Sequence, residues 1–145
     1  MEKSLDRFLR VQVQDYDTAY EEMEHGRKVS HWIWYIFPQI KGLGRSKKSE
    51  YFGIESADEA RRYLENDILS KRLYDITRVL LTHRGIDADS IMGSVDALKL
   101  KSSMTLFDAV SPHDIFEEVL DEFYEGKRCP LTLFMLGITD DKQRI

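Results

Sequence analysis

The sequence predicts an all-α fold, an irregular multihelical array of about eight or nine short helices in a single domain spanning residues 1–145. Three observations predict it. Apolar residues recur at helical spacing in segment after segment, and capping residues, glycines and prolines stand between those segments. Sustained period-two alternation is absent, and so are the Asn-Gly and Asp-Gly signals of a hairpin. The helices are too many and too short for a regular four-helix bundle. At 145 residues the chain suits one ordinary domain.

The elements follow in chain order. Leu5, Phe8 and Leu9 fit one helical face, and Ala19, Tyr20 and Met23 fit another that stops at Gly26. Ser30 can cap a short aromatic helix that Pro38 ends. Ser46 can cap the helix after the Gly42–Gly44 loop. Ser56 and Glu59 form a capping box, each side chain positioned to take a backbone N–H of the other, and Ala60, Tyr63 and Leu64 follow. Asp67 can cap a helix carrying Leu69, Leu73, Ile76 and Leu80, which stops before Gly85. Asp87 starts a short helical turn, and Ser94 can cap a longer helix through Phe107. Ser111–Pro112 reads as a cap followed by proline at the first helical position, with Phe116, Val119, Leu120 and Phe123 behind it. Pro130 opens a last helix, Leu131 to Leu136.

Composition excludes several classes. Hydrophobic residues are 42% and charged residues 32% of the chain, a globular rather than a disordered mixture. The one cysteine, Cys129, allows no intrachain disulfide, so an oxidising compartment gains no support. The N-terminus lacks a signal-peptide core, and the longest uncharged apolar run, Trp32 to Pro38, is far below the ~20 residues of a membrane span. The expectation is a cytoplasmic protein without a membrane partner. A net charge of −5 argues against nucleic acid as a partner. His25, His31, His83 and His113 lie in unrelated contexts, so no metal site and no cofactor is expected.

Three segments could carry chemistry. His31-Trp32-Ile33-Trp34-Tyr35-Ile36-Phe37-Pro38-Gln39 is aromatic or branched on both faces of a helix, which suits a central element with His31 and Gln39 at its polar ends. The loop of Gly42, Gly44, Arg45 and Ser46 offers backbone freedom and a loop-to-helix junction, though not the spacing of a phosphate-binding loop. From Arg27 through Ser49 there are six cations and no Asp or Glu, leaving −11 for the rest of the chain. Such a local positive field suits one anionic partner or, equally, a solvated basic face. In the third segment, Asp96 to Phe107, the hydroxyls of Ser102, Ser103 and Thr105 sit beside Lys99 in mid-helix. They either bond the carbonyls four residues back or face a phosphate or carboxylate. Cys129, preceded by Arg128 and followed by Pro130, sits at a helix start that could lower its pKa, although a structural thiol is the simpler reading.

The blocks HWIWYIFPQIKGLGRSKKSEYFGI, EARRYLEND and DALKLKSSMTLF, in that order, resemble the signature blocks of the domain-of-unknown-function 1810 family. The resemblance runs from about Phe8 to Leu136, is specific, and implies a multihelical all-α fold without implying an activity. Where the family pattern continues with a His-Pro-x-Leu-Gly segment, this chain has Asn66-Asp67-Ile68-Leu69-Ser70. The resemblance carries over to His31, Trp32, Trp34, Phe37, Pro38, Gln39, Gly42, Gly44, Ser46, Tyr51, Lys99, Ser102, Ser103, Thr105 and Phe107.

Two functional expectations follow. The first is a pocket for a small anionic metabolite, such as a nucleotide-derived one, with or without catalysis. Trp32, Trp34 or Tyr51 would stack on its ring, Arg45, Lys99 and the Ser102, Ser103 and Thr105 hydroxyls would hold its charge, and His31 would be the general acid or base of any reaction. The second is a module that captures a protein segment in a groove between helices, marked by an exposed apolar patch above ~400 Å².

Overall fold

The computed structural model describes residues 4–138, of which 67% are helical. Nine helices are described: α1 (Asp6–Glu24), α2 (Ile33–Ile36), α3 (Lys47–Tyr51), α4 (Ala57–Glu65), α5 (Asp67–Leu81), α6 (Ala88–Met92), α7 (Ser94–Val110), α8 (Ile115–Tyr124) and α9 (Pro130–Met135). Among the described residues the extended pairing is a single isolated bridge, Ile40 with Ile54. The all-α expectation holds.

Helix α7 occupies the centre. Every residue from Ser102 to Asp108 is buried, so this stretch has no solvent face, and α2, α4, α6, α8 and α9 all pack against it. Phe107 meets Tyr63 of α4 and Phe116 of α8 at ring separations of 5.4 and 5.5 Å. The aromatic segment is core as well, with Trp32, Ile33, Tyr35, Ile36 and Phe37 buried. It flanks the centre, however, and α7 fills it.

Local readings needed correction where a polar side chain took a less local partner. The two faces expected before Gly26 belong to one 19-residue helix, α1. Phe8, Gln12, Ala19 and Met23 form its continuous buried stripe, and Gln12 is there because its amide donates to the Tyr35 carbonyl (2.7 Å) and the Tyr63 hydroxyl (3.0 Å). Ser30 does not cap α2, since its hydroxyl donates to Glu22 at 2.6 Å. Asn66, not Asp67, caps α5, its side-chain oxygen accepting from the N–H groups of Ile68 and Leu69. The cap position of α7 is Gly93, whose φ of +85° suits glycine, and Ser94 is the first helical residue. Ser111 closes α7 and donates to Asp114, which caps α8. The capping box at Ser56 is half formed: Ser56 accepts from the Glu59 N–H, while the Glu59 carboxylate accepts from Glu55 N–H instead. Ser46, Asp87 and Pro130 open helices as their types predict.

Candidate functional site

The loop after α2 is tied down at its base. Lys41 N–H donates to the Ile54 carbonyl and Ile54 N–H donates to the Gln39 carbonyl, both at 2.8 Å. Gly42 has φ +107°, and a Cβ there would lie 2.6 Å from the terminal methyl of Met135 in α9. A Cβ on Gly44 would lie 2.4 Å from the Ser49 hydroxyl. Both glycines therefore answer to close packing, and Ser46 is engaged as the cap of α3.

Helix α9 is fastened to α7 by the mid-helix hydroxyls. Thr105 donates to the Lys101 carbonyl at 2.8 Å and accepts from the Cys129 N–H at 3.0 Å, satisfying a backbone donor where α9 begins. The Ser102 hydroxyl lies 3.2 Å from the Leu98 carbonyl and 3.3 Å from the Cys129 sulfur. With a single proton it can donate to only one of them at a time. Partial burial pushes the Cys129 thiol up, but the Ser102 hydroxyl and the Thr132 and Leu131 N–H groups outweigh this and leave its pKa lowered. Ser103, adjacent in sequence, points inward, fully buried and without a partner for its hydroxyl.

These elements enclose a groove of about 390 Å³. Its walls are Gln39, Leu43 and Gly44 from the loop, Val95, Leu98, Lys99, Lys101 and Ser102 from α7, and Cys129, Pro130 and Leu131 from the start of α9. A second hollow of about 370 Å³ lies on the other side of Lys99 and Val95, lined also by His31, Trp34, Asp96 and the Met92–Ser94 turn. Trp34 forms part of this second hollow. The Lys48 ammonium lies 4.8 Å and the Lys99 ammonium 5.2 Å from the centre of its ring, and its indole N–H is buried without an acceptor. Lys99 also stands 3.8 Å from Asp96, whose other oxygen pairs with Lys28 at 2.7 Å.

The predicted residues therefore separate. Gln39, Gly44, Lys99 and Ser102 share the groove, and His31 and Trp34 share the hollow beside it. Trp32 is closed off in the core, its indole N–H donating to Glu22 at 2.9 Å, so it offers no face for stacking. Tyr51 lines a different hollow with Arg7, Arg10 and Val11. Ser103 and Thr105 do not reach the groove, and Gly42, exposed beside the Met135 methyl, is not among its walls. Arg45 follows Gly44 and is exposed. The basic block does not converge as one field, because Lys28 pairs with Asp96 and Lys41 with Glu55. Outside the expected set stand Leu43, Val95, Leu98, Lys101, Cys129, Pro130 and Leu131. For Val95 and Leu98 a signal was available: two apolar residues three apart, on the outer side of a helix whose Leu100, Met104 and Phe107 form the core.

Among the described residues no group of three or more His, Cys, Asp or Glu could hold a metal ion, and no helix is long and apolar enough to cross a membrane. Comparison with known proteins gives two matches of substance. The crystal structure of the conserved hypothetical protein Rv1873 from Mycobacterium tuberculosis is similar over 93% of this chain and 97% of that one, with 39% identity and a TM-score of 0.86. No curated protein matches the chain. The second match is a family model, "Protein of unknown function (DUF1810)", over residues 2–136. With the family model matching residues 2–136, nearly the whole chain, the chain belongs to the DUF1810 family.

Proposed function

We propose that the paired hollows on either side of Lys99 bind a small anionic molecule with an apolar or aromatic body. The observation that carries this reading is the convergence of Lys48 and Lys99, from separate stretches of chain, on the one indole of Trp34. Lys99 lines both hollows, and its ammonium, with Asp96 3.8 Å away, can give an incoming anion a charge-assisted hydrogen bond. The groove supplies the rest of the chemistry: Leu43, Val95, Leu98 and Leu131 for an apolar body, Gln39 for an amide contact. Its volume falls in the ~300–1,000 Å³ range of small-molecule sites.

Magnitudes set the screening concentration. A charge-assisted hydrogen bond contributes ~1.5–3 kcal/mol, so two of them alone give affinity near ~1 mM. The reading is one of binding, and no reaction is assigned to His31, an exposed side chain of the adjoining hollow. The test is a thermal-shift screen of phosphate- and carboxylate-bearing metabolites at millimolar concentration. The expected result is stabilisation by compounds that pair an anion with a ring or chain, abolished by Lys99→Met and retained by Ser103→Ala. Equal stabilisation of the parent and Lys99→Met, or none by any anion, overturns the reading.

A further inference from the structure

Ten large apolar side chains are exposed among the described residues, and five of them, Val95, Leu98, Leu131, Phe134 and Met135, stand on α7 and α9. Clustering of this kind differs from the scattered apolar exposure ordinary to any surface. The spacing is also ordered. Val95 and Leu98 are three apart on α7, and Leu131 and Phe134 are three apart on α9. Val95, Leu98 and Leu131 line the groove and Phe134 continues the α9 stripe beyond it, with Val95 65%, Leu98 67%, Leu131 64% and Phe134 77% exposed.

We propose that this α7–α9 face docks an acidic amphipathic helix of a partner protein. Mode and charge both select that occupant. An added strand needs a sheet edge, where the described residues offer only the isolated Ile40–Ile54 bridge, and a polyproline ligand needs an aromatic-lined groove, where this lining has no aromatic ring. A helix can instead lay apolar anchors at i, i+3 and i+7 between two stripes. The polar rim is cationic, with Lys99 and Lys101 on the α7 wall and exposed Arg45 beside Gly44 on the loop wall. Acidic flanks complement that rim. A second copy of this chain fits less well, since two-fold pairing of the face with itself would set the cationic rims against each other.

The test titrates the full-length protein with a fluorescent synthetic helix carrying leucines at i, i+3 and i+7 with glutamates flanking them, followed by anisotropy. Saturable binding is expected, together with weak or absent binding of the same helix with lysines in place of glutamates. Leu98→Glu and Phe134→Glu should each weaken binding about tenfold or more. Both positions are largely exposed, so the variants should keep the parent's melting temperature, which a circular-dichroism melt checks. Lys99→Glu combined with Lys101→Glu should turn the preference toward the lysine helix. Failure of the acidic helix to bind, equal binding of both helices, or parent-like affinity in Leu98→Glu and Phe134→Glu overturns the proposal. Self-association abolished by Leu98→Glu, with no helix bound, assigns the face to a second copy and overturns it too.

Discussion

The guanidinium of Arg7 and the carboxylate of Glu59 meet at 3.0 and 3.1 Å in the interior, with every Arg7 N–H engaged. Beyond Glu59 the group donates to the carbonyls of Ser4, Tyr51 and Gly53, tying the start of α1 to α4, to the end of α3 and to the chain just after it. Removing one partner of a buried pair leaves an uncompensated charge, at ~3–5 kcal/mol. Glu59→Leu and Arg7→Leu should each lose about that much in urea denaturation. The double variant should lose less than the two singles added together, because it strands no charge.

The two tryptophans should respond in opposite ways to the same change. Trp32→Phe removes an indole N–H that donates to Glu22, and the buried site is left with a smaller ring. Trp34→Phe removes a buried N–H that has no acceptor, and an unsatisfied donor costs ~1–3 kcal/mol. Thermal unfolding of the two variants should show a clear loss for Trp32→Phe and an unchanged or raised Tm for Trp34→Phe. Equal losses would show that the Trp34 N–H is satisfied in solution.

Most of the helices could be read from local signals, because a capping side chain and the N–H it accepts lie within a few residues. Ser46 and Asp87 are such cases, and Pro130 marks the start of α9 as its fixed φ predicts. Ser30 escaped because Glu22, eight residues away, took its hydroxyl, and α1 was divided because Gln12 in its stripe serves partners on other helices. The groove was legible only on its loop and α7 sides. Its third wall joins through Thr105 and the Cys129 N–H, 24 positions apart, and residue types do not encode that meeting. Nor do they encode helix phase. Adjacent Ser102 and Ser103 are about 100° apart around the helix axis, enough to send one toward the groove and the other into the core.

Glu22 gives the fold an acid limit. Partial burial raises its pKa, but hydrogen bonds from the Ser30 hydroxyl and N–H, the Val29 N–H and the Trp32 indole outweigh that and hold it near 2. A carboxylate depressed in the folded state adds stability above its unfolded value near 4.5, and that stability drains away as pH falls toward 2. Tm measured from pH 6 down to 2 should therefore decline through this window, and Glu22→Gln should decline less steeply. Parallel curves for parent and variant would remove Glu22 from the account.

The lowered pKa of Cys129 predicts alkylation by iodoacetamide at a lower pH than an ordinary thiol shows. Ser102 is the side chain that can turn its proton to the sulfur, so Ser102→Ala should move the alkylation midpoint upward. An unmoved midpoint would leave the Thr132 side chain and the α9 backbone N–H groups as the cause.

Gly42 is held by two separable constraints, and a paired substitution can tell them apart. Its φ of +107° disfavours any side chain, and a Cβ would meet the Met135 methyl at 2.6 Å. Gly85, at φ +90° with nothing within 4 Å of its added Cβ, carries the first constraint alone. Gly85→Ala should then cost ~1–2 kcal/mol from backbone strain. Gly42→Ala should cost more, because Met135 must also shift and α9 loosens over the loop. In a Met135→Ala background the excess should vanish, leaving Gly42→Ala close to Gly85→Ala in urea denaturation. If the excess persists without Met135, the seat of α9 on the loop is not what selects glycine here, and the backbone of the loop itself must be the cause.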